Sequence, residues 1–151
     1  MTPTIQIQCE DFDVADEVAA LVAGRADIGA VVTFTGMCRD EGGRLASLEL
    51  EHYPGMAETQ IARVVAEAGA RWPLQGVTVI HRYGQVAPGQ NIVLVVTASA
   101  RRRAAFEAAE FVMDYLKTHA PFWKREHHSD GTIGGWVEAK SEDDAATDRW
   151  A

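Results

Sequence analysis

Six basic side chains crowd into residues 101–125 of a 151-residue chain, against three acidic ones, while the whole chain carries a formal charge of −8. Three of the six, Arg101-Arg102-Arg103, stand where a β-branched run passes into an amphipathic segment. Backbone N–H groups at a helix start attract anions, and guanidinium groups bind phosphate or carboxylate through paired hydrogen bonds. Cations are unfavourable at a helix N-terminus. Three together there indicate an anion site, or else a solvated helix start.

Lys117 falls four residues after Met113, at the edge of an apolar stripe traced by Phe106, Ala109, Met113 and Leu116. A lysine beside apolar packing can have its pKa lowered and serve as nucleophile or proton carrier. The alternative is a snorkelling lysine in the last helical turn. Lys124 follows Pro121-Phe122-Trp123. In an extended segment Phe122, Lys124 and Glu126 share one face, and Trp123 and Arg125 the other. Such a lysine lines a pocket for a flat ligand or guards an edge strand against aggregation.

Arg39 ends a strand through Thr35-Gly36-Met37-Cys38, where binding residues often gather. Cys38 beside it is either a low-pKa nucleophile or a small buried hydrophobe. His127-His128 has no further ligands at zinc-like spacing, and two distant cysteines supply none, so no metal site is expected. No P-loop, dinucleotide-binding glycine motif, H-E-x-x-H or G-x-S-x-G is present.

The elements that must hold these residues follow from periodicity. Strands are expected at Ile5–Gln8, Gly29–Gly36, Leu48–His52, Val77–His81 and Asn91–Ala98, with an extended segment Phe122–Glu126 and a last strand over Trp136–Ala139. Helices are expected from Val14 to Ala23, capped by Asp13, from Met56 to Arg71, and from Arg102 to Thr118 before Pro121. No regular βαβ alternation appears, so the class is α+β, with an antiparallel or mixed sheet and about three helices. Residues 1–140 are expected to form a single domain and 141–151 an acidic, mobile tail.

Composition narrows the class. The 47% hydrophobic content is that of a globular chain, and the net negative charge argues against a dedicated nucleic-acid binder. The N-terminus lacks a signal peptide's basic and apolar regions, and no apolar run spans a bilayer. A cytoplasmic protein with reduced thiols is expected.

Several blocks resemble the large, catalytic subunit of molybdopterin synthase, the MoaE family. They are Gly29-Ala-Val-Val-Thr-Phe-Thr-Gly36 with Arg39, Leu50-Glu-His-Tyr-Pro-Gly-Met56, Val79-Ile-His-Arg82, Phe106-Glu-Ala with Met113-Asp-Tyr-Leu-Lys117, and Ala120-Pro-Phe-Trp-Lys-Arg-Glu126. The resemblance implies an α/β-hammerhead fold. It implies a sulfurtransferase that converts cyclic pyranopterin monophosphate to the molybdopterin dithiolene. Sulfur would arrive as a thiocarboxylate on the C-terminal Gly-Gly of a small ubiquitin-like subunit. The implied assembly is a heterotetramer around a homodimer of large subunits. No resident metal or cofactor is implied, since molybdenum enters later.

By this resemblance Lys117 and Lys124 are the catalytic lysines. Met37, Cys38, Arg39, Arg101, Arg102, Arg125 and Glu126 are substrate-binding. Family members often carry His-Arg where this chain has Arg101-Arg102. A permanently charged guanidinium holds phosphate but does not shuttle protons near neutral pH. Two other readings compete: a non-catalytic docking module for a ubiquitin-like partner, and a sulfurtransferase that depends on Cys38.

Overall fold

The structure is a computed structural model. It describes residues 1–40, 42–119, 121–137 and 141–151, with the backbone alone for 141–144. The elements are β1 (Thr4–Gln8), α1 (Val14–Val22), β2 (Ala30–Met37), β3 (Leu45–His52), α2 (Met56–Arg71), β4 (Leu74–Arg82), β5 (Gly84–Val86), β6 (Asn91–Ser99), α3 (Arg102–His119), β7 (Phe122–His128) and α4 (Ser141–Asp148).

Two sheets result. The larger has the order β1-β4-β6-β2, and the smaller β5-β3-β7. Only β1 and β4 run parallel; every other pairing is antiparallel. Strands β4 and β6 are apolar on both faces because both faces are covered. Val77, Val79, Val93 and Val95 face α2 and α3, meeting Ile61, Val65, Phe111, Val112 and Leu116. Ile80, Leu94 and Val96 face the other way, onto Val14, Val18 and Leu21 of α1. Phe111 is fully buried, and its truncation to alanine is worth about 3–5 kcal/mol.

Local chemistry sets the helix ends. Asp13 caps α1 by accepting from the Asp16 N–H at 3.0 Å. Helix α2 begins at Gly55, whose φ of 83° suits glycine, and the Glu58 carboxylate accepts from its N–H at 2.5 Å. Helix α3 is tied to β6 by the buried Thr97 hydroxyl, which donates to the Ala105 carbonyl at 2.6 Å.

Three expectations change. Phe106 is 61% exposed and does not belong to the buried stripe of α3. That stripe is centred on Ala105, Ala108, Val112 and Leu116, and Phe106 lies past its Met113 edge at 3.6 residues per turn. The chain between β4 and β6 is not all loop, because Gly84–Val86 pairs with Leu48–Leu50 as β5. A fourth helix, α4, occupies the segment read as a tail. Beyond it the Trp150 indole meets Phe111 at 5.6 Å and donates to Asp114 Oδ2 at 2.6 Å. Of the strand expected over Trp136–Ala139, Val137 makes a single bridge to Lys124, and residues 138 and 139 lie outside the described residues. No helix among the described residues is long and apolar enough to cross a membrane.

Candidate active site

The small sheet carries the candidate site on one face. Residues directly opposite in an antiparallel pair share a face. The register pairs Leu48 with Glu126, Leu50 with Lys124, and His52 with Phe122. Lys124, Glu126 and Phe122 therefore lie with Leu48, Leu50 and His52. This is the face split expected from the alternation of Phe122–Glu126.

Cys38 joins this face from β2. The ladder shifts register between Gly36 and Met37, so Gly36 opposes Val93 while Met37 opposes Asn91. A bulge of this kind re-aims the chain. Beyond it Cys38 packs against Leu50 and Val86 at 3% exposure, while Met37 stays 55% exposed. The Cys38 backbone is pinned on both sides: its N–H donates to Gln90 O at 2.8 Å, and its carbonyl accepts from Gly89 N–H at 2.7 Å. Burial pushes the Cys38 thiol up, and the charges of Asp40 and Glu126 add to it against a hydrogen bond from the Leu48 backbone. A raised thiol is a poor nucleophile at neutral pH. Arg39 follows on the exposed side of the same turn.

Lys117 reaches the site from the last turn of α3. Its charge acts on His81 of β4, as does that of His52. The His81 ring stacks on Phe122 with centroids 3.7 Å apart, and His52 stacks on Phe122 at 6.0 Å and meets Tyr83 at 4.8 Å. Phe122 thus links the end of α3, through the two histidines, to the face that carries Lys124. Desolvation is the main cause that drives His81 down to about 4, with Lys117 and His52 lowering it further against the Arg82 backbone hydrogen bond. The structure therefore places Lys124, Glu126 and Cys38 on one face of the small sheet, with Met37 and Arg39 flanking Cys38 in sequence and Lys117 toward the Phe122 end of β7.

Arg125 is not on this face. Its Nε donates to Glu49 Oε1 at 2.9 Å, and its guanidinium lies 4.3 Å from the Trp136 ring centroid. His127 Nε2 meets the same Glu49 oxygen at 2.7 Å. The His127 and Arg125 hydrogen bonds, in that order, hold the Glu49 carboxyl below its ordinary range. This arrangement fastens residues 132–137 onto the back of β7.

Arg101 and Arg102 are also elsewhere. They line a concavity of about 470 Å³ with Gly29, Ala100 and Arg103, at the opposite end of α3 from Lys117. Gly29 permits the close approach there, since a Cβ would run into the Ala100 carbonyl oxygen. Arg103 pairs with Glu107 at 2.7 Å. At 1.5 Å per residue Arg102 and Lys117 are about 22 Å apart along the helix, too far to grip one small molecule within one chain.

Sequence reasoning assigned no role to His81, His52 or Phe122. A signal existed for His81. It continues the Val77, Val79 alternation and so puts an imidazole where the strand otherwise buries valine.

Comparison with known proteins identifies the family. The sequence model of the family described as MoaE protein matches residues 7–119. A Mesorhizobium japonicum protein named molybdopterin synthase catalytic subunit is 67% identical over 150 residues, covering 99% of this chain and 94% of the relative. A Brucella melitensis protein of the same name is 61% identical over 147 residues, covering 97% and 90%. The solved structure of a molybdopterin biosynthesis MoaE protein from Burkholderia ambifaria superposes with a TM-score of 0.85 at 51% identity, covering 99% of this chain and 98% of that one. With the family model spanning most of the chain and near-full-length relatives above 60% identity, the chain belongs to the MoaE family.

Proposed function

We propose that this chain is the catalytic subunit of a molybdopterin synthase. It transfers sulfur from the C-terminal thiocarboxylate of a small ubiquitin-like subunit to cyclic pyranopterin monophosphate, building the dithiolene. The observation that carries the reading is the face of the small sheet that presents Lys124 and Glu126 beside Cys38, with the last turn of α3 setting the Lys117 charge near His81, which stacks on Phe122 of that face.

The chemistry uses these groups directly. The thiocarboxylate sulfur bonds a pterin side-chain carbon as that carbon's C–O bond breaks, the leaving oxygen departing with the opened cyclic phosphate or as water. Water then cleaves the acyl–sulfur bond, leaving sulfur on the pterin and a carboxylate on the carrier. Negative charge develops on the acyl oxygen in that step, and a fixed ammonium stabilises it. Lys117 takes this role, close to the incoming Gly-Gly carbonyl. Lys124 orients the substrate and stabilises the opening cyclic phosphate, and Arg39 clamps the anion.

Arg101 and Arg102 complete the phosphate site from a second copy of the chain, since their own helix holds them away from Lys117. A homodimer within a heterotetramer meets this need. Support comes from β2, an edge strand whose Val31 and Phe34 are 36% and 41% exposed, and from Phe106 at 61%. The reaction needs no resident cofactor or metal, and a cytoplasmic location fits a subunit that works with reduced thiols.

The deciding experiment mixes the protein with thiocarboxylated small subunit and the cyclic pterin, and detects molybdopterin. Lys117→Ala is expected to lose nearly all product with its fold intact. Turnover at the wild-type rate in that variant would sink the assignment.

A further inference from the structure

The two adjacent histidines at the end of β7 part company. Strand alternation sends His127 to the back of the small sheet, onto Glu49, and puts His128 on the face that carries Lys124 and Glu126. The sulfur-transfer scheme uses neither. His128 Nε2 lies 3.1 Å from Glu126 Oε2, and His128 Nδ1 lies 3.0 Å from the Thr132 hydroxyl oxygen. That hydroxyl donates to Asp130 Oδ1 at 2.6 Å, and the Thr132 N–H donates to the same oxygen at 2.9 Å. Asp130, Thr132, His128 and Glu126 thus form one hydrogen-bonded chain that ends on the site face.

The direction of this chain fixes its protons. Bonds from Thr132, side chain first and then backbone, hold the Asp130 carboxyl below its ordinary range, and the His128 charge adds to them against desolvation. Asp130 is therefore an acceptor, and Thr132 spends its hydroxyl proton on it. Toward His128 the Thr132 oxygen only accepts, so Nδ1 carries a proton. A neutral ring would then turn a bare Nε2 lone pair onto a carboxylate oxygen, acceptor against acceptor. The contact closes with a second ring proton, donated by Nε2 to Glu126. Backbone bonds keep the pair in place: His128 N–H donates to Thr132 O at 2.8 Å, Ser129 N–H to Arg44 O at 2.8 Å, and Gly134 N–H to Glu126 O at 2.9 Å. The His128 and Glu126 side chains are 32% and 60% exposed, and an ion pair so exposed adds little to folding. Lys124 stands two residues before Glu126, about 7 Å along β7. Asp130 faces the ring from the hairpin, and Cys38 with Asp40 comes from the turn after β2. Opposite the pair β3 places the uncharged Leu45 and Leu48.

We propose that Glu126 and His128 are the proton carrier of this site: the Asp130–Thr132 chain holds His128 as the proton store, and the exposed Glu126 carboxylate hands that proton to the oxygen that leaves the pterin side chain. As the carbon–sulfur bond forms and the carbon–oxygen bond breaks, the Nε2 proton moves to Glu126 and from it to the departing oxygen, which takes the bonding electron pair. The ring is left neutral with its Nδ1 proton in place. Water then adds to the acyl carbon, and the acyl–sulfur electron pair stays on sulfur. Of the two protons released, one returns through Glu126 to Nε2 and the other goes to solvent, so the pair is ready for the next transfer. Glu126 is the group that meets substrate, and His128 acts through it. This role rests on the reading of this face as the sulfur-transfer site, but its first test does not.

That first test reads the His128 tautomer from the ring nitrogen NMR signals of the intact protein, at a pH high enough to leave the imidazole neutral. The proton is expected on Nδ1, because Thr132 accepts on that side. Thr132→Val removes the acceptor and is expected to release the ring to the Nε2–H tautomer. A bare Nδ1 in the wild type, or the same tautomer in both proteins, overturns the proton store whatever this face binds. Product formation by Lys124→Ala decides separately whether this face is the sulfur-transfer site.

The second test is kinetic. His128→Gln keeps a side-chain donor for Glu126, and with it the carboxylate's orientation, but carries no transferable proton. Molybdopterin formation with thiocarboxylated partner is expected to fall about ten- to hundredfold in kcat, with KM for the partner little changed. Imidazole added to His128→Ala is expected to restore part of the rate. Wild-type kcat in His128→Gln, a loss confined to KM, or no response of His128→Ala to imidazole overturns the proton-carrying role. Where a variant fails to fold, the tautomer of the wild-type ring still decides.

Discussion

Arg102 and Lys117 stand at the two ends of one helix, about 22 Å apart, and an anionic pterin of ordinary size cannot touch both in one chain. The proposed twofold dimer would remove the difficulty if it brings the start of one α3 to the end of another. Complementation between variants tests this. Arg102→Ala and Lys117→Ala are each expected to lose most activity. When the two are refolded together, mixed dimers should regain one complete site, giving about a quarter of the wild-type rate for random pairing of symmetric dimers. No recovery in the mixture would place both residues in a site within one chain.

Much of this arrangement is legible in the sequence because it is local. The alternation of Phe122–Glu126 separates Lys124 from Arg125 by face, and helical spacing puts Lys117 at the rim of the α3 stripe. What escapes is whatever depends on the partner surface. Phe106 looks like core because it is apolar at near-helical spacing, but which arc of α3 is buried is set by where β2 and β6 lie. The tail looks mobile because its charge is acidic. Trp150 nonetheless finds Phe111, Trp72 and the Asp114 carboxylate across a long sequence separation. His81 escapes for the same reason: its neighbours Phe122 and Lys117 come from other elements.

Adjacent residues Lys124 and Arg125 are expected to differ in kind when replaced. Lys124→Ala removes a cation from the site face and should lower product formation with little effect on stability. Arg125→Ala leaves the Glu49 carboxylate to His127 alone and uncovers Trp136. It should loosen residues 132–137 and cost about 1 kcal/mol, the worth of a partly exposed ion pair with a cation–π contact. Hydrogen exchange along β7 and a product assay on the same preparations separate the two. Equal loss of activity with unchanged exchange in Arg125→Ala would return Arg125 to the substrate-binding group.

Cys38 tests the origin of the sulfur. Its thiol is buried and pushed up by desolvation, with Asp40 and Glu126 opposing the thiolate. Such a group is a weak nucleophile, so Cys38→Ser is expected to retain substantial activity with thiocarboxylated partner. A modest stability loss of about 1–2 kcal/mol is expected from placing a hydroxyl among Leu50 and Val86. Complete loss of activity in a folded variant that still binds substrate would move the sulfur-carrying step onto Cys38.

Acid stability follows from His81. Its folded value is about 4 against an ordinary 6.5, so the unfolded chain takes up a proton between those values and the folded chain does not. The unfolded state binding more protons means stability rises with pH in that window. The contribution is complete above about pH 6.5 and is lost progressively as pH falls toward 4, the loss reaching about 3 kcal/mol below that. Glu49 acts in the same direction at lower pH. Its depressed carboxyl stabilises the fold above its unfolded value, and that stabilisation is lost as pH falls through its folded one. Denaturant titrations from pH 7 to pH 4 should show the decline in the wild type and a flatter line in His81→Phe, where no imidazole is left to take the proton. Parallel slopes in the two proteins would assign the acid sensitivity to another group.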